Sequence, residues 1–220
     1  MTSVVRTAGS HMYDELIAVH TIMRRGTVLT AEAFARFADA GSAGAVDAKT
    51  LVNTARWLVT FVHHHHASED ELFWPVLREL FPEASGKLDD LTAEHEALDA
   101  ELQALTTAID GVAAGERAAA ERGASAAAKV RDLLAGHLDD EEPALVELFP
   151  QVPDAEMIRL RKAIVDGAPR SGPDLLFGLL EDPDRPAGYG EMMSDLPAPL
   201  RWLRPVLLNR YRSRKKALGG

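Results

Sequence analysis

The chain has no cysteine among its 220 residues, which excludes disulfides, iron–sulfur clusters and thiolate zinc sites. Any bound metal must sit on nitrogen and oxygen. Aromatic residues reach only 6%, β-branched runs are scarce, and Ala, Leu, Glu, Asp and Arg are abundant. That balance favours helix over sheet and sets an all-α expectation. No apolar stretch approaches the roughly 18 residues needed to cross a bilayer, and the N-terminus lacks the charged-then-apolar pattern of a signal peptide, so a cytoplasmic location is expected. A basic body is also missing, and positive charge gathers only in the tail. The net charge is -10; residues 191–220 carry seven Arg/Lys against Glu191 and Asp195, a net +5, which leaves -15 for residues 1–190. An acidic body argues against nucleic acid as a partner, because neutralising phosphates needs a basic face.

Four long segments read as helices, roughly 11–37, 48–80, 86–112 and 119–149. Gly41, Ser42 and Gly44 separate the first two, with Asp47 as N-cap of the second; Phe81–Pro82 through Gly86, and then Gly111 and Gly115, supply the other breaks. A shorter helix over 154–166 follows Pro153, and a Gly/Pro-rich stretch to about residue 190 reads as irregular. The expectation is an up-down four-helix bundle over 11–150 and a helical extension over 151–220.

Apolar spacing shows which residues point inward, and polar residues interrupt every stripe. The second segment runs Leu51, Ala55, Leu58, Val62, His65, Glu69, Leu72, Val76; the third runs Leu88, Leu91, His95, Leu98, Leu102; the fourth runs Val130, Leu134, His137, Glu141, Ala144, Leu148. On the first segment His20 falls between Leu16 and Met23. A single inward histidine is more often a hydrogen-bonded core residue. Intrusions on four stripes need one common cause, since a buried histidine or carboxylate without a partner costs several kcal/mol. Their heights agree: His20 lies about 17 residues before the end of its segment and His65 about 17 after the start of the next, so at 1.5 Å per residue antiparallel helices bring them level. His95 and His137 satisfy the same test. Metal coordination by His20, His65, Glu69, His95, His137 and Glu141 is the simplest cause, and a nitrogen and oxygen set suits iron, manganese or zinc.

The His63–His66 tetrad is resolved by register. His65 takes the central inward position, His66 the shoulder beside it, and His63 and His64 face outward. Competing chemistry is absent: no histidine has a glutamate three residues before it, as other di-iron bundles require, and there is no His-Glu-x-x-His, phosphate-binding glycine loop or recognisable Ser nucleophile.

The segments "ELIAVHTIMRR" (15–25), "HHHHASEDELFWP" (63–75), "LTAEHEAL" (91–98) and "HLDDEEPALVELFP" (137–150) resemble the hemerythrin-like, or HHE cation-binding, domain family. That resemblance implies two iron ions joined by an oxo or hydroxo bridge, with zinc or manganese as alternatives, held by the six residues named above. It implies small-molecule partners, O2, NO or peroxide, and either an oxidoreductase that consumes peroxide or NO or a non-catalytic iron or oxygen sensor. The chain departs from oxygen carriers of this type, which supply two histidines a turn apart on the third helix; here Leu91 and Asp99 flank His95 at that spacing. The absent nitrogen leaves an open position or is replaced by Tyr13, His66, Glu94 or Asp99. Pro143 is expected to kink the fourth helix. The basic segment 196–216, with Leu200, Leu203, Leu207 and Tyr211 on one side, is expected to pack on the acidic bundle, with contact to a membrane surface or a protein as the alternative.

Overall fold

The computed structural model describes residues 6–39 and 46–220, the Asp195 side chain excepted. The breakers at Gly41, Ser42 and Gly44 lie outside the described residues. The bundle is built from α1 (Ala8–Asp39), α2 (Ala48–Ser68) continued by a π-helical turn (Glu69–Phe73) and α3 (Trp74–Leu80), α4 (Ser85–Ala113) and α5 (Arg117–Leu148). Asp47 caps α2 as expected, its carboxylate accepting from the Thr50 amide at 2.8 Å. α1 packs on α5 and α2, and α4 packs on α5 and α2, which closes the four long elements around one core. The fourth helix stays continuous through Pro143.

The apolar core divides into two clusters. One holds Met23, Val62, Leu98 and Leu134; the other holds Leu16, Phe73, Leu91 and Leu145. On each helix these pairs bracket the polar intrusions in sequence, so the buried histidines and glutamates form a layer between two apolar layers. Hydrophobic burial above and below holds that layer in place at about 25 cal/mol per Å² of apolar surface removed from water.

Beyond the bundle come α6 (Asp154–Gly167), α7 (Pro173–Glu181), α8 (Tyr189–Asp195) and α9 (Ala198–Ala217). The irregular stretch expected up to about residue 190 is corrected here, because it contains α7, whose Leu175, Phe177, Leu179 and Leu180 are buried. A nine-residue helix starting on a proline escapes periodicity reading; burial against α1 and α9 stabilises it. Gly172 precedes it with φ +66, and a Cβ there would sit 2.4 Å from the Trp57 ring, whose Nε1 donates to the Ser171 carbonyl at 3.0 Å. Glycine satisfies both the left-handed turn and the close approach.

α9 uses only part of its expected apolar face. Leu207 and Tyr211 are buried, while Leu203 is exposed. Its cations pair mainly with α7 and the residue after it: Arg204 with Glu181, Arg214 with Asp174 at 2.9 Å, and Lys215 with Asp182 at 2.6 Å. Leu175, Leu179 and Tyr211 belong to the same apolar cluster as the bundle core. The α7–α9 contact is tight at Gly178, where a Cβ would fall 2.0 Å from Tyr211 Cγ. Gly178→Ala is therefore expected to cost about 1–3 kcal/mol by overpacking. In thermal unfolding that corresponds to a midpoint about 5 °C lower, and an unchanged midpoint would show that the contact gives way freely.

Candidate metal centre

Seven side chains converge on the polar layer. His20 comes from α1, His65 and His66 from the end of α2, Glu69 from the first position of the π-turn, His95 from α4, and His137 and Glu141 from α5. They form two groups, His20–His65–Glu69–Glu141 and His66–Glu69–His95–His137, and within each group one donor atom per residue lies within 4.8 Å of the others. Imidazole nitrogens face each other: His20 Nε2 is 3.2 Å from His65 Nε2, and His95 Nε2 is 3.1 Å from His137 Nε2. Glu69 reaches both groups, with Oε1 3.1 Å from His65 Nε2 and Oε2 3.6 Å from His95 Nε2. Glu141 does likewise through one atom, Oε2 lying 3.5 Å from both His20 Nε2 and His137 Nε2.

The ring orientations have a local cause. Three histidines direct Nδ1 away from the centre toward a carboxylate: His20 to Glu142 at 3.0 Å, His95 to Asp70 at 3.0 Å and His137 to Glu94 at 2.8 Å. A proton on Nδ1 donated outward leaves the Nε2 lone pair pointing inward, which is the tautomer a metal ligand needs. Arg24 donates to Glu142 at 3.2 Å, and Thr92 donates to Asp70 at 3.3 Å, so two of these carboxylates are themselves held. Glu94→Ala frees the His137 ring, and a loss of about 10–100-fold in metal affinity is expected. Competitive chelator titration would measure it, and unaltered affinity would show that the outer hydrogen bond does not matter.

The electrostatics of the metal-free layer are set by burial. Burial pushes Glu69 up to about 8, pulls His65 down to about 4 and His66 well below its ordinary range, and lowers His20 and His95. His137 differs: burial works against its cationic form, but attraction to the Glu141 carboxylate 3.5 Å away, together with Glu94, holds it at about 9.

The six residues named from sequence all lie in these groups, and His66 joins them. His66 is 2% exposed and its ring stacks on His95 at 4.2 Å, whereas His65 is the less buried of the two. The expected ranking of His65 as central and His66 as shoulder is thus corrected: two consecutive residues 100° apart straddle the inward direction, and each serves one group. The other candidates for the missing donor stand elsewhere. Glu94 lies behind His137, Asp99 pairs with His63 Nδ1 at 3.1 Å near the surface, and Tyr13 is in neither group. Sequence reading did not single out Asp70 or Glu142. The available signal was the acidic doublet, since each directly follows an inward glutamate, in Glu69–Asp70 and Glu141–Glu142.

A cation fits this set on the structure's own terms. Both oxygens of Glu69, both oxygens of Glu141 and both ring nitrogens of His66 are buried without a hydrogen-bond partner. Unpartnered buried groups of this kind are costly. A positive charge among them would satisfy the carboxylates and the imidazole together, and the donor set of nitrogen and oxygen suits a transition metal. An all-α bundle with such a layer at its centre defines a metal-binding helical bundle. The family profile described as Hemerythrin HHE cation binding domain matches residues 11–149, and the chain belongs to that family. No curated protein and no solved structure gives a significant match to the chain.

Proposed function

We propose that the chain is a non-haem di-iron protein that binds or reacts with O2, NO or peroxide. The observation that carries this reading is the pair of donor groups meeting at Glu69. His20, His65, Glu69 and Glu141 would hold one ion, and His66, His95, His137 and Glu69 the other, with Glu141 Oε2 3.5 Å from a histidine of each group. His66 supplies from α2 the nitrogen that the third long helix lacks at Leu91. Bound iron would provide a redox couple and coordination positions for a small exogenous ligand.

The rest is the work of the chain's own side chains. Glu142, Asp70 and Glu94 keep three imidazoles in the ligating tautomer. Leu16, Leu91, Met23 and Leu98 exclude water above and below the layer. Among the described residues no helix is long and apolar enough to cross a membrane.

Protein produced with ample iron is expected to carry about two irons per chain, to show near-ultraviolet charge-transfer absorption that azide alters, and to consume hydrogen peroxide. Stoichiometric zinc with no iron uptake would overturn the di-iron reading. Full iron loading without peroxide, O2 or NO chemistry would move the chain to the sensor class.

A further inference from the structure

A half-enclosed cavity of about 270 Å³ lies between the bundle and the C-terminal extension. Its inner end is formed by His65 and Glu69, two members of the metal-site groups, and by Phe73. Its outer wall comes from α6, α7 and α8 and the connections beside them, including Ile164, Val165, Ala168 and Leu176. Those wall residues lie outside the 11–149 match, so the chamber is built by this chain's own extension and not by the family domain alone.

We propose that this chamber is a binding site for a neutral, apolar organic molecule the size of a bicyclic aromatic, held with one end beside His65 and Glu69. Size and lining support that class. A cavity of about 150 Å³ lined by aliphatic and aromatic groups takes up benzene, and the volume here admits a molecule with roughly ten heavy atoms on the same scale. The lining is mainly aliphatic and aromatic. The charged pair at the wall is matched within the protein, Arg161 Nε and Nη2 each donating to Glu15 at 2.7 Å, so the wall favours a neutral guest over an ion. Diatomic ligands alone need far less room. This inference rests on the proposed metal reading only for what lies at the chamber's inner end.

The test uses the full chain, chelator-treated and cobalt(II)-loaded, with 2-naphthol as probe. Saturable binding, read by fluorescence anisotropy, is expected in both forms, and in the loaded form it should shift the visible cobalt bands. Ala168→Phe and Val165→Trp each place bulk in the outer wall and should weaken binding about tenfold or more. Val146→Trp, on an exposed part of α5 away from the chamber, should not. Metal content is measured separately on every variant. Absence of saturable binding, wall variants that bind as tightly as the unaltered chain, or unchanged cobalt bands at saturation would overturn the proposal. Naphthol binding that the wall variants weaken, in a chain that takes up no metal, would instead reject the metal reading and keep the chamber.

Discussion

Replacing Glu69 with alanine is expected to leave the chain folded and to empty both halves of the centre. Glu69 is the residue common to the two donor groups, with one oxygen toward His65 and the other toward His95. Its removal takes a donor and a negative charge from each ion at once, whereas His66→Ala withdraws a donor from one group only. Metal analysis after dialysis should therefore find almost none in Glu69→Ala and a half-filled centre in His66→Ala. The metal-free fold has little to lose, because both Glu69 oxygens are buried without hydrogen bonds. What disappears is the stabilisation conferred by binding, about 4 kcal/mol when free metal stands at a thousand times Kd. Thermal unfolding with and without added iron would show a large upward shift for the unaltered chain and none for Glu69→Ala. Retention of both ions at unchanged affinity would reject Glu69 as the shared ligand.

Metal uptake should expel protons, and affinity should climb steeply with pH. At pH 7 Glu69, raised to about 8 by burial, still holds its proton, and His137, held at about 9 chiefly by Glu141 against the effect of burial, is cationic. Both must deprotonate to ligate, so each pH unit below about 8 should gain about 100-fold in affinity for the pair of protons released. His20, His65, His66 and His95 are shifted downward by burial and contribute no proton at that pH.

Stability of the metal-free chain should move the other way. Glu69 and His137 bind their protons more tightly folded than unfolded, so their contribution is complete below their unfolded values and fades as pH rises through about 8 and about 9. The four lowered histidines contribute above their unfolded value near 6.5 and lose that contribution on acidification, His65 as pH falls toward about 4. Between pH 7 and 9 the metal-free unfolding midpoint should fall while the loaded midpoint rises. Proton release in lightly buffered solution gives the count directly. A pH-independent affinity over that range would contradict these assignments.

Much of this centre could be read from the chain alone. A 3.6-residue apolar period fixes which face of a helix turns inward, so His20, Glu69, His95, His137 and Glu141 were legible as interruptions of Leu, Val and Met stripes. Equal distances from the loops set them at one height without any knowledge of packing. The family segments, the absence of sulfur donors and the four long helices were likewise written in the sequence.

Periodicity could not decide how a helix is rotated to within half a residue step. His65 and His66 differ by 100°, and whether one or both face the interior depends on where α1 and α4 press against α2. The structure places one in each donor group. The carboxylates of Asp70, Glu94 and Glu142 belong to the same class of question, since each meets a histidine on a different helix. The extension is the clearest case. Pro173–Glu181 carries a short apolar run behind a proline, but that run alone does not decide for a buried helix, because its stability comes from Tyr211 and the bundle core pressing on it, and such contacts exist only once distant parts of the chain are brought together.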